Sequence, residues 1–266
     1  IRELASLFTF SNYVGFTATP FANVFIDPET TEKMETQDLF PEDFIVALPT
    51  PSNYIGPNRI FAKDGEYHNQ LTYIKDAGRE EEDGFPFYFK HKKEWNGELP
   101  GSLTDAIYAF YIVNAIRDLR GDYNEHRSML INISRFVAVQ KYIKSDVEEI
   151  HRKAYRAIKF NLSADDDSLK DPVLAHIHRI WSEYYANTEF SWEEVAGAMF
   201  SAIENIQVKL VNSSKTSEKL EYPKNDSLRV IAIGGLALSR GLTLEGLIIS
   251  YFYRNTSTYD VLMQMG

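Results

Sequence analysis

Cysteine is absent from all 266 residues, which excludes disulfides, thiolate metal sites and cysteine nucleophiles in one step and fits a reducing, cytoplasmic compartment. No apolar run approaches the ~18–20 residues a membrane helix needs, so no membrane partner is expected. Histidine is scarce, with six copies. His176 and His178 stand two apart in a predicted helix, face different ways and lack the i, i+4 spacing of a zinc helix; with Asp165–Asp167 reading as a solvated acidic loop, no metal site is expected. Basic charge is in deficit, 28 Lys and Arg against 38 Asp and Glu, for a net charge of -10 and a pI near 5.2. A protein that coats nucleic acid through its overall field is therefore excluded, and a basic contact surface has to be local. Lys90, Lys92 and Lys93 form one such candidate. The row Arg152, Lys153, Arg156 and Lys159 is another, with 152, 156 and 159 on one helical face; a solvated surface is the simpler reading of both.

Two catalytic patterns are also missing. None of the 38 acidic residues has Lys two positions later, the carboxylate-x-lysine arrangement in which a metal-holding acid and a lysine activate water for DNA cleavage. Nor does a G-x-x-x-x-G-K-[ST] phosphate loop occur.

What is present is a globular composition, 44% hydrophobic and 25% charged, patterned in two styles. Seven of the ten prolines lie between Asp27 and Pro100, predicting loops, short strands such as Phe85–Phe89 and an irregular insertion. From Ser102 onward the pattern becomes regular. Ser102 is expected to cap a helix whose apolar residues recur at three and four positions as far as Ile116 and which Gly121 ends. Met129–Ile133, Val208–Val211, Leu228–Ile233 and Leu247–Phe252 are short apolar runs alternating with helical patterns. Ser191 and Glu194 form a capping box that opens a helix to about Asn205. Strands apolar on consecutive positions, interleaved with helices, predict an α/β fold built on a mostly parallel sheet covered on both faces.

Chemistry concentrates in two segments. Thr17-Ala18-Thr19-Pro20 follows an apolar stretch, and a glycine- and hydroxyl-rich run from Gly234 to Gly246, containing Arg240, follows a predicted strand. Glycines there let backbone approach a phosphate or a neighbouring loop, while hydroxyls and the guanidinium donate to anionic oxygens.

Together these segments resemble superfamily two helicases. TATP matches their third motif, LSRGLTLEGL resembles the fifth, and TYDVLMQMG the start of the sixth, while MLINISRF stands where the fourth would be. The fuller wording, GFTATPFAN, SMLINISRF, GGLALSRGLTLEGLIISYFYR and YDVLMQMG, is similar to the Z-one domain family, labelled as endonucleases and linked to helicase modules in bacteria. The resemblance implies a RecA-like parallel-sheet lobe with helical insertions, a fragment of a two-lobed helicase-type ATPase. Residues 1–40 would end a first lobe, 41–126 form a variable insertion and connecting helix, and 127–266 form the second lobe with a helical elaboration at about 144–205.

The same resemblance implies functional residues. Thr17 and Thr19 would sense the γ-phosphate, with Gly235, Arg240, Gly241, Thr243, Glu245 and Gln264 on the other side of the nucleotide cleft. Ser134 and Arg135 would face the nucleic-acid backbone. ATP and Mg²⁺ are implied in the intact protein, with none bound by the fragment alone. DNA is the implied partner, with a nuclease or other restriction or defence protein beside it. Thr243 departs from the family pattern, standing where many helicases carry a ribose-contacting Asp. Because the chain opens on Ile1 and closes on Gly266, the first two helicase motifs and the arginines of the sixth are expected outside it. Two other classes remain open from sequence: a metal-dependent DNA endonuclease, and a non-catalytic nucleic-acid- or protein-binding module.

Overall fold

Four of the apolar runs become strands: β1 (Arg127–Asn132), β2 (Gln207–Val211), β3 (Arg229–Gly234) and β4 (Leu247–Phe252). The computed structural model describes residues 7–12, 14–16, 44–162, 166–212, 218–224, 226–235 and 243–253. All four strands are parallel, in the order β2-β3-β1-β4, with Leu130 opposite Ala232 and Ile131 opposite both Ile233 and Tyr251. Parallel strands carry side chains into packed layers on both faces, which is why β1 is buried throughout its length. The α/β class expected from the alternation is the one observed.

Five α-helices occur among the described residues: α1 (Pro57–Ile60), α2 (Gly101–Leu119), α3 (Val137–Asn161), α4 (Pro172–Tyr184) and α5 (Trp192–Ile203). The predicted capping box at α5 forms, Glu194 N donating to Ser191 Oγ and Ser191 N to Glu194 Oε2. Asp171 caps α4 by accepting from Val173 N at 2.8 Å. The α2 cap differs from expectation. Ser102 lies inside the first turn, and the carboxylate that accepts its amide (2.7 Å) and its hydroxyl (2.6 Å) is Asp76. A cap supplied 26 residues away leaves no local pattern to read. Gly121 follows the end of α2 as predicted, at φ +88°, a conformation glycine adopts without strain.

The sheet's two faces are packed unequally. Met129, Ile131, Leu210, Ile231, Ile233 and Tyr251 meet the helices in one large core. Leu130, Val211 and Ala232 turn the other way and pack with Leu220 and Leu244. Among the described residues, helices α2 to α5 gather on the first face rather than on both.

The chain divides into two compact units, residues 1–68 and 69–266. In the first, Arg59 donates to Glu66 and its guanidinium lies over the Tyr67 ring. The second contains the sheet and also takes in the end of the proline-rich stretch, from Asn69 to Pro100. Phe87, Tyr88 and Trp95 are buried in the sheet's own core, the Phe87 and Trp95 rings edge to face at 4.8 Å. The strand predicted at Phe85–Phe89 is reduced to one parallel bridge between Gly78 and Tyr88, braced by Gly78 N to Phe87 O at 2.8 Å and by Tyr253 Oη donating to Gly78 O.

Candidate functional site

In an open parallel sheet, loops leaving the carboxyl ends of the strands form the ligand-binding crevice. At that edge β1 runs through buried Ile133 into the turn Ser134-Arg135, from which α3 starts with no side-chain cap at its first residue. Ser134 fixes this turn instead. Its Oγ accepts from Phe136 N at 3.1 Å and lies 2.8 Å from His91 Nε2, and its carbonyl accepts from Gln140 Nε2 at 2.9 Å. Gln140 reaches on to β2, accepting from Asn212 Nδ2 at 3.2 Å. Gly235, just past β3, closes the group: a Cβ there would stand 2.8 Å from Gln140 Nε2 and 3.3 Å from Ser134 O. Of the two uses open to this glycine, approach to a phosphate or to a neighbouring loop, the described structure displays the second.

Three of the sequence-derived residues, Ser134, Arg135 and Gly235, thus come together. Ser134 is 2% exposed with its hydroxyl directed inward. Arg135 is exposed, its guanidinium 4.9 Å from the centre of the Phe136 ring, and it has no acidic partner among the described residues. Several other basic candidates do have one. Lys90 pairs with Glu80, Lys92 with Glu81, and both Arg152 and Lys153 with Glu149. Lys159 lies over the rings of Tyr155, Phe160 and Phe200. Burial pushes His91 below the ordinary histidine value, and the Arg135 charge acts in the same direction.

Thr243 and Glu245 are elsewhere. Both are exposed before β4, at the amino edge of the sheet. Glu245 O accepts from Ser128 Oγ at 2.8 Å, and Gly246 O accepts from Ser128 N at 2.8 Å. At ~3.3 Å per residue, the six-residue strands put Glu245 on the order of 15–20 Å from Gly235. Thr17, Thr19, Arg240, Gly241 and Gln264 lie outside the described residues.

The amino edge also carries a charged cluster that sequence reasoning missed. Arg127 and Arg229, register partners on β1 and β3, both pair with Asp118 of α2, at 2.7 Å each. Arg127 donates further to Asn114 O within α2, and Arg229 to Ala202 O at the carboxyl end of α5. Arg127 is fully buried, and burial pulls it below the ordinary guanidinium value although Asp118 opposes the shift. His91 and Gln140 were missed as well. No local pattern marks either, because each acts on a residue that only the fold brings near.

Of the histidines weighed from sequence, His176 bonds Asp105 while His178 packs edge to face on Trp192, so the two do diverge. Among the described residues no three His, Asp or Glu side chains group closely enough to hold a metal ion, and no helix is long and apolar enough to cross a membrane.

No curated protein matches the chain, and no solved structure does. The family model described as the Z1 domain matches residues 102–266, from the first turn of α2 through the whole sheet. That match spans more than half of the chain, and the chain belongs to the Z1 domain family.

Proposed function

We propose that this chain is part of a superfamily two helicase-like, DNA-directed ATPase, a RecA-like lobe whose Arg135 turn contacts the phosphate backbone of DNA. The observation that carries the reading is Arg135 itself: an exposed guanidinium at the carboxyl end of a central parallel strand, without an acidic partner among the described residues. A planar guanidinium binds phosphate oxygens with two parallel hydrogen bonds. Stacking on Phe136 restricts its rotamers, so less freedom is lost on binding. In an acidic chain, such a local contact is the kind of DNA surface that charge allows.

The reading also assigns ATP and Mg²⁺ to the intact protein, facing Thr17, Thr19, Arg240, Gly241 and Gln264. When bound, ATP supplies a phosphoanhydride whose hydrolysis drives movement on DNA. The described residues do not by themselves fit Mg²⁺, having no group of three carboxylate or imidazole ligands, and no step is derived through it. Within the chain, Ser134 and Gln140 hold the turn, Gly235 lets the β3 end close against it, and Arg135 donates to phosphate. A restriction or defence nuclease belongs to the same proposal as a partner.

The test is DNA-stimulated ATP hydrolysis by the purified intact protein. Arg240→Ala and Thr19→Ala should each depress it with the fold intact. Arg135→Ala should raise the DNA concentration needed for half-maximal stimulation by about fivefold or more, as loss of a charge-assisted hydrogen bond implies. Full DNA-stimulated turnover in a folded Arg240→Ala protein would overturn the motor assignment. DNA nicking in Mg²⁺ that a single Asp or Glu substitution abolishes would replace it with the endonuclease class.

A further inference from the structure

Read from sequence, the stretch before Ser102 is a proline-rich insertion, and the family match begins after it. Even so, it delivers one imidazole to the turn that carries Arg135. His91 is 6% exposed, packed among the rings of Phe87, Trp95 and Phe136. Its Nδ1 lies 2.8 Å from Tyr88 O, and its Nε2 lies 2.8 Å from Ser134 Oγ. A carbonyl oxygen only accepts, so Nδ1 carries the proton. Nε2 of the neutral ring is then the acceptor, and the Ser134 hydroxyl donates to it. With its proton directed to His91, Ser134 Oγ turns a lone pair to Phe136 N, the first amide after Arg135.

A serine bonded to a histidine whose other nitrogen is oriented by a third group has the connectivity of a nucleophilic pair. Here Ser134 is 2% exposed, with Gly235 and Gln140 closed over its carbonyl, so no substrate reaches the hydroxyl. What the chain of bonds does reach is the backbone on both sides of Arg135.

We propose that His91 is a positioning residue for this surface: by accepting from Ser134 it holds the Ser134–Phe136 backbone in the one conformation that presents Arg135 to a phosphate. The proposal rests on the Arg135 reading of the previous subsection. It gives the proline-rich stretch a role in DNA contact without touching DNA. That stretch can exert it because it is braced internally, by bonds of Gly78 with Phe87 and Phe89 and of Trp95 Nε1 with Pro86 O at 3.2 Å, and is tied to the end of β4 by Tyr253 Oη donating to Gly78 O.

Two variants separate the acceptor from the ring. His91→Phe keeps an aromatic ring among Phe87, Trp95 and Phe136 and removes the acceptor; His91→Gln keeps an acceptor for the Ser134 hydroxyl. Ser134→Ala removes the same bond from the other side. Affinity for a fluorescent duplex or single-stranded oligonucleotide, measured per folded molecule by anisotropy, should fall about fivefold in His91→Phe and in Ser134→Ala. The double variant should fall no further, because the two changes break one link, and His91→Gln should recover most of the loss. In ¹⁵N spectra of the wild-type ring, Nδ1 should be protonated and Nε2 bare. Unchanged affinity in folded His91→Phe and Ser134→Ala proteins, alongside a clear loss in Arg135→Ala, would overturn the positioning role alone. If Arg135→Ala itself leaves affinity unchanged, the DNA-contact reading fails, and this proposal with it. A ring protonated on Nε2 would overturn the bond direction on which the role depends.

Discussion

The two edges of the sheet are built on opposite principles. At the amino edge, charge is buried and matched: Asp118 lies between Arg127 and Arg229, and the surplus positive charge meets a carbonyl within α2 and another at the carboxyl end of α5. Gly246 there is pressed against His126 O at φ +61°. At the carboxyl edge, the buried groups Ser134, Gln140 and His91 are largely uncharged, and the charge, Arg135, is left in solvent. One edge spends its charges within the fold and the other leaves one available to a ligand. That contrast separates residues expected to govern stability from those expected to govern binding, even though β1 supplies both Arg127 and the Arg135 turn.

The largest effect should come from the amino edge. Asp118→Ala leaves two largely buried guanidinium groups without their carboxylate and should cost about 3–5 kcal/mol, read as a lower denaturant midpoint. Replacing the cluster together, as Arg127→Met, Asp118→Leu and Arg229→Met, should cost far less, because desolvating the charges is itself expensive. A mild effect of Asp118→Ala would break the comparison. Gly246→Ala should come next. The positive φ alone costs roughly 1–2 kcal/mol for an L-residue, and a Cβ 1.8 Å from His126 O forces the backbone apart as well, so the melting temperature should drop by several degrees.

Gly235→Ala sharpens the contrast. Its Cβ comes closest to the movable end of the Gln140 side chain, at 2.8 Å, with the Ser134 carbonyl next at 3.3 Å, so a stability cost near ~1 kcal/mol is expected. DNA affinity should suffer more than folding, because Gln140 holds the Ser134 carbonyl. Equal losses in both readouts would make Gly235 a packing residue only.

The smallest effect is that of pH. Burial holds both His91 and His151 below the ordinary 6.5, so the unfolded chain takes up their protons first on acidification. Stability should therefore be full above about pH 6.5, decline as pH falls below it, and level off once the folded values are passed. Thermal melts from pH 8 to 5 should follow this course, with a shallower decline in His91→Phe. A rise in stability on acidification would contradict the assignment of both rings as buried and neutral.

The features legible in the sequence are those written locally. Four apolar runs became four parallel strands, and the Ser191–Glu194 spacing became a capping box, because period and capping act over a few residues. The Asp76 cap of α2, the His91–Ser134 bond and the Arg229–Asp118 pair join residues 26, 43 and 111 positions apart, and nothing local announces them. Phe85–Phe89 reads as a strand because it is rich in aromatic residues; the core buries Phe87 and Tyr88 there with a single bridge to Gly78 in place of a paired strand. The glycine-rich run after β3 reads as one segment in the sequence, yet its described ends serve different edges. Gly235 belongs with Ser134, whereas Glu245 lies a strand's length away, a separation that sequence proximity conceals.

The division of labour between the edges is tested most directly by the salt dependence of DNA affinity in Arg135→Ala and wild-type protein, with thermal stability measured on the same samples. A single phosphate contact on an otherwise intact fold predicts weaker binding across all sequences, a slope of log K against log salt reduced by about one, and stability within about 0.5 kcal/mol of wild type. Identical affinity and slope in the two proteins, or an Arg135→Ala loss accompanied by unfolding, would contradict it.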